Sequence, residues 1–260
     1  MLKARHFAIT VLTCCLGTGF AQGTPPAQAQ APGAAPSPAP AARPTEKSVE
    51  LDEVSRLLRA GKLQEALALA DIVIQSHEDR LRRPKIQPFA SRSPAEAQAY
   101  LSELGRKPPP GKEPMEAGVY PSTWGDAYYL KSFILTELKR LPDARKAIDA
   151  AVALAPHNAA YRAELGQLLL KEKNFDEAAR EFKRAEADAR DFSPQSVRTR
   201  ELGRAMRGQA FVLVEKKDFD GAEKLLAECM KLDPKDSVAL SELRYIAQKR
   251  SQQQSAAGAK

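Results

Sequence analysis

Residues Ala159 to Ala187, AAYRAELGQLLLKEKNFDEAAREFKRAEA, constrain the fold more than any other part of this chain. The stretch carries two amphipathic helical patterns back to back. Leu165, Gly166 and Leu169 share one face of the first. Ala178, Phe182 and Ala185 do the same in the second, at the i, i+4, i+7 steps by which a helix buries one side. Lys173-Asn174 forms a polar break between them, and Phe175 is placed to pack over the turn. Neither helix is apolar enough to stand alone, so the pair needs neighbours of its own kind.

Those neighbours are in the sequence. Small residues early in the second helix of each pair fall at Ala66, Ala144, Ala178 and Ala222, and Ala144 to Ala178 is a step of 34 residues. The same step carries Leu135 onto Leu169, Leu141 onto Phe175, Ile148 onto Phe182 and Ala151 onto Ala185. Ala222 follows after a step of 44, which maps Phe175 to Phe219, Phe182 to Leu226 and Ala185 to Cys229. Between Ala66 and Ala144 the chain carries a longer insertion. Pro156 and Pro234 each stop a helix, and Asn158 and Asp236 behind them are N-caps for the next.

With Leu165-Gly166, Leu169, Phe175, Ala178, Phe182 and Ala185 in register and the prolines closing two units, the chain resembles the tetratricopeptide repeat family. Departures are Ser132 at the place of Gly166, a third unit without its proline, and a loose first unit. The resemblance implies an all-α, right-handed superhelical solenoid of helix-turn-helix repeats. They lie at about 49–79, 122–156, 159–190 and 195–234, with an insertion at 80–121 and a capping helix at 237–249. It further implies that the first helix of each repeat lines a concave groove that holds a peptide or helix of a protein partner. In that phase Tyr129, Phe133 and Glu137 point inward, followed by Gln167, Leu170 and Lys171, then Arg207, Phe211 and Val214. Aromatic and arginine side chains suit such a role; burial of Phe133 and Phe211 against the next helix is the alternative. Phe133 and Gln167 do not reproduce the asparagines with which some family members clamp a terminal carboxylate.

Two segments depart from the rhythm. The insertion opens on Arg80, Arg82, Arg83 and Lys85, and Ser93-Pro94-Ala95-Glu96 is a capping box. One short helix follows, with Ala97, Tyr100, Leu101 and Leu104 on a face, set between extended loops. It is either a lid over the groove or a structural cover for a helix edge. Near Ser193-Pro194-Gln195 ten extra residues lengthen the first helix of the fourth unit, whose Arg198, Arg200, Arg204 and Arg207 read as a solvated basic face.

The amino-terminal residues are of a different kind. Residues 1–21 have a charged start at Lys3 and Arg5, an apolar middle from Phe7 to Phe20 and a small-x-small end, the layout of a cleaved signal peptide. Cleavage after Ala21 leaves no membrane span. The residues before Cys14 and Cys15 fit a lipid-anchor site poorly, so no lipid anchor is expected. Residues 22–47 are dominated by Ala, Pro and Gln and form a disordered tether, and 251–260 a disordered tail. Removing the leader lowers the formal charge from +7 to +5, too little and too dispersed to imply nucleic acid. Cys229 is then the sole cysteine, so packing rather than disulfides must hold the domain.

There is no His pair at metal spacing, no glycine-rich phosphate loop and no Gly-x-Ser-x-Gly, so the sequence offers no catalytic site and calls for no cofactor. The expectation is a non-enzymatic adaptor of a bacterial periplasm. The alternative is an accessory or glycan-binding subunit of an envelope enzyme.

Overall fold

Four turns of one construction divide the chain into helical hairpins. Gly61, Lys139, Lys173 and Lys217 all take a left-handed backbone, with φ between 60° and 72°. At each, the following N–H reaches back to the carbonyl five residues earlier: Lys62 to Leu57, Arg140 to Leu135, Asn174 to Leu169, Asp218 to Leu213. The left-handed residue's own N–H meets the carbonyl three earlier, which completes a Schellman motif at every turn. A 34-residue step in sequence is therefore a repeat of backbone geometry as well as of apolar residues.

Only the first of these turns has glycine. A lysine held left-handed costs about 1–2 kcal/mol, more than the roughly 0.5–1 kcal/mol of extra chain entropy glycine brings to the unfolded state. Lys173→Gly is accordingly expected to raise stability by about 0.5–1 kcal/mol, read as a higher urea midpoint at unchanged slope. An unchanged midpoint would mean the lysine stem makes an offsetting contact.

The computed structural model describes residues 46–83, 85–104 and 116–258. The expected signal peptide and its expected cleavage site, Cys14, Cys15 and nearly all of the expected tether lie outside them. Helices α1 (Glu46–Arg59) and α2 (Leu63–Leu81) form the first hairpin. Then come α4 (Thr123–Glu137) with α5 (Leu141–Leu154), α6 (Ala159–Lys171) with α7 (Phe175–Asp191), and α8 (Gln195–Glu215) with α9 (Phe219–Leu232). The last, α10 (Ser237–Gly258), runs past the expected end at 249, into residues expected to be a disordered tail. Its Ser-Gln-Gln-Gln-Ser-Ala-Ala continuation has no helix breaker and is rich in helix formers.

Each hairpin stacks on the next, α2 on α4, α5 on α6, α7 on α8 and α9 on α10. First helices also touch one another in series, α1 to α4, α4 to α6 and α6 to α8, which places them on the tighter inner side of the stack. The result is an all-α solenoid of tetratricopeptide-like repeats. Caps form where the sequence placed them. Asn158 Oδ1 accepts from the N–H groups of Ala160 and Tyr161 at the start of α6, and Asp236 Oδ1 from those of Val238 and Ala239 at the start of α10.

Packing between repeats turns on Phe182 of α7, which is fully buried. Its ring lies so close to α6 and α8 that a Cβ added at Gly166 or at Gly208 would come within 2.8 or 2.3 Å of it. One aromatic ring thus needs a glycine on each of two inner helices. Cys229 takes the small-residue place in the fourth repeat and is buried, its Sγ 3.8 Å from the Gly203 carbonyl oxygen. Burial pushes its thiol pKa up to about 11, which leaves it a core residue and not a reactive one.

The insertion departs from expectation. Its short helix is present as α3 (Pro94–Leu104), but the flanking segments are strands, β1 (Ile86–Ser91) and β2 (Glu116–Pro121). They pair in parallel from Ile86↔Glu116 to Ser91↔Pro121, making a strand–helix–strand unit between α2 and α4. Glu116 donates its N–H to the Lys85 carbonyl, so by the alternation of a parallel ladder Pro88 turns its donor-less nitrogen away from β2.

Candidate partner-binding groove

The inner helices carry a chain of buried polar contacts rather than an apolar trough. Ser122 Oγ and the Tyr161 hydroxyl each donate to Asp126, both at 2.7 Å. Tyr161 stacks on Tyr129, with ring centroids 5.4 Å apart. The Tyr129 hydroxyl accepts from Arg204 Nη1 at 3.1 Å, and the other arm of Arg204 pairs with Glu164. This chain ties α4, α6 and α8 together across three successive repeats.

A second cluster joins the insertion to the repeats. Arg92, between β1 and α3, reaches Glu96 at 2.9 Å and Glu201 of α8 at 2.7 Å. Glu201 also accepts from the Ser193 hydroxyl. Ser93 Oγ donates to the Phe192 carbonyl, and the Tyr100 hydroxyl accepts from the His157 backbone N–H. Phe89 of β1 stacks on Tyr100 at 4.9 Å. The strand–helix–strand unit is therefore anchored on the turns that open α6 and α8.

Electrostatics follow from this enclosure. Burial pushes the carboxyl of Asp126 above its usual range, with the Tyr161 and Ser122 hydrogen bonds working the other way. Burial raises Glu96 as well, outweighing the Arg92 beside it. For Arg92 and Arg204 burial opposes the charge, yet their partners hold both pKa values above the ordinary arginine range. For Arg92 these are chiefly Glu201 and Glu96, for Arg204 Tyr129 and Glu164. Both arginines stay charged, and their work is to hold elements together.

Against this frame the expected groove residues divide. Tyr129, Phe133, Gln167, Leu170 and Phe211 are half-buried on inner helices, while Glu137 and Lys171 are exposed. Phe133, Gln167 and Phe211 sit in equivalent positions in the carboxy-terminal halves of α4, α6 and α8, beyond the turns to which the insertion is anchored. Two expectations need correction. Arg207 pairs with Asp236 at the start of α10, and Val214 is buried among Ala222, Leu226 and Ile246. Both lie on the α8 face turned toward α9 and α10, because a position three residues from Arg204 is about 60° off its direction. The basic face of α8 is not uniformly solvated either. Arg198 donates to the Ser193 carbonyl, Arg204 points into the network, and Arg200 is exposed.

Glu164, Arg204, Asp126, Arg92 and Glu201 are the residues the sequence reading missed. Glu164 and Glu201 carried one signal, a charge where the helical phase calls for a buried side chain. A charge there must have a partner.

Among the described residues no group of three or more His, Cys, Asp or Glu side chains is placed to hold a metal ion, and no helix is long and apolar enough to cross a membrane.

With this geometry in place, comparison with known proteins agrees on the fold. No curated protein matches the chain. A putative kinesin light chain from Podospora anserina, with nearly identical TPR-like repeats, aligns at 14% identity over 81% of this chain and 89% of its own, with a TM-score of 0.52. The ArsTM double mutant of MamA RS-1 aligns at 14% identity over 84% and 92%, with a TM-score of 0.48. The first TPR of Spaghetti (RPAP3), bound to an HSP90 peptide, aligns at 17% over 50% and 95%, with a TM-score of 0.43. Residues 126–199, the span from α4 to the first turn of α8, match the tetratricopeptide repeat model.

Proposed function

We propose that this chain is a non-enzymatic interaction module of the bacterial cell envelope, which binds a peptide or helix of another protein along its inner helices. One observation carries the reading. Phe133, Gln167 and Phe211 repeat at equivalent positions on α4, α6 and α8, half-buried, in the part of the inner face away from the insertion's anchors. Leu170 and Lys171 on α6 extend that face with apolar and cationic surface. A row of aromatic and polar groups set one repeat apart suits an extended or helical ligand, which can meet each repeat in turn. The carboxylates and arginines further in are paired with each other, so specificity falls to this outer row.

The envelope location rests on the amino-terminal sequence. A charged start, an apolar middle and a small-x-small end support export through a cleaved leader, and the Ala/Pro-rich residues that follow suit a tether.

A photo-crosslinking side chain placed at Gln167 in living cells tests the reading. A discrete adduct with one partner is expected there, and none from the same group at Arg180, which is exposed on the outer helix α7. Equal labelling from both positions would remove the groove from consideration.

A further inference from the structure

His157 stands where the insertion meets the repeats, in the turn between α5 and α6. Its ring lies between Tyr100 of α3, nearly parallel with centroids 5.6 Å apart, and Phe192 at 4.4 Å. Nδ1 is 3.0 Å from Asp188 Oδ1 on α7, and Nε2 is 2.7 Å from Glu103 Oε1 on α3. Carboxylates on both ring nitrogens call for two N–H donors. A neutral imidazole has one donor and one acceptor, so only the imidazolium satisfies this arrangement.

We infer that His157 is a proton-operated latch: with both nitrogens protonated it ties the carboxy-terminal end of α3 to α7, and loss of one proton frees that end of the insertion. The remaining proton stays on Nδ1, because Asp188 is buried and also fixed by Arg162 Nε at 2.8 Å. Glu103, whose side chain is 42% exposed, is the partner able to turn to water. The Tyr100 hydroxyl takes the His157 backbone N–H, a contact indifferent to the ring's charge, and the Arg92 pair with Glu96 and Glu201 holds the opposite end of the unit. Release is therefore a hinge at one end and not a loss of the whole insertion.

The charged and titratable groups around the ring all bear on this. From α3 come Glu103 and Tyr100, from α7 Asp188 with Glu181 behind it, and from α6 Arg162, which pairs with both of those α7 carboxylates. Phe192 contributes no charge. The hydrogen bond to Asp188, against the opposing effect of burial and with help from Glu103, holds the His157 pKa above its ordinary 6.5. A histidine raised in the folded state adds stability that is fully present below the unfolded value and lost as pH rises through the folded one. The latch is shut in mild acid and opens as pH rises through that raised value.

Amide hydrogen exchange of the full chain, corrected for the intrinsic pH dependence of exchange, tests this at about pH 6 and about pH 9. Protection of the last turn of α3 is expected to fall on the order of tenfold for each unit by which His157 is raised, while α6 and α7 keep theirs. Glu103→Gln changes an exposed side chain and leaves the fold in place. In that variant the α3 end should exchange alike at both pH values, and the His157 ring should titrate closer to 6.5 by NMR. Native protection that ignores pH, or a Glu103→Gln variant that keeps the native pH dependence, would overturn the latch.

Discussion

Phe182→Ala is expected to cost about 3–5 kcal/mol, as truncation of a fully buried aromatic side chain does. Its ring fills the space that Gly166 and Gly208 leave open on two different repeats, so truncation hollows the inside of the third hairpin and its interface with the fourth at once. Collapse around the void is limited because the glycines have no side chain to move in. In a stack where each repeat is stable only on its neighbours, such a loss should also uncouple the two sides. Urea unfolding is then expected to show a lower midpoint and a broader transition than the native chain. Phe211→Ala, at a half-buried position in the next repeat, should cost much less. Similar losses for the two variants would mean that the interface between repeats is not built on Phe182.

Arg92→Ala should be nearly as damaging, by about 3–5 kcal/mol, for an electrostatic reason. Removal leaves Glu96, with no exposed surface, and Glu201, almost as buried, facing each other without their shared cation. The folded variant can relieve the pair only by taking up a proton, so its carboxyl pKa is raised above the unfolded value. Stability from a group so shifted is present at low pH and lost as pH rises through the folded pKa. The deficit relative to the native chain is therefore greatest at neutral pH and shrinks toward about pH 4. Adding Glu201→Gln should recover part of the loss at pH 7. A deficit equal at both pH values would point to lost packing in place of an uncompensated charge.

The contrast between these two sites shows what a sequence discloses. Phe182 and the alanines around it were legible because a 34-residue step repeats large apolar and small residues at their places, and the turns at Lys139 and Lys173 follow from the same step. Asn158 and Asp236 were legible as caps because capping is local. The strand pair was not. IQPFAS and EAGVYP are short, each carries a proline, and their register joins Ile86 to Glu116, thirty residues away. Nothing local marks such a pairing. The polar network was hidden for a related reason. Arg204 looks like a surface charge and the phase of Glu164 names no partner for it, and only the stacking of α4, α6 and α8 brings them together with Tyr129. Arg207 and Val214 were misassigned because Asp236 at the start of α10 and Ile246 within it close on that side of α8, a contact between elements that no local pattern announces.

The most direct test of the groove is the affinity of the purified chain for the partner captured at Gln167, measured by calorimetry for the native chain and for Phe133→Ala with Phe211→Ala. Anchoring aromatics of this kind are each worth about 2 kcal/mol or more on truncation, so the double variant should bind at least on the order of a hundredfold more weakly. Its circular dichroism spectrum should match the native one. Unchanged affinity in a folded double variant would contradict the account.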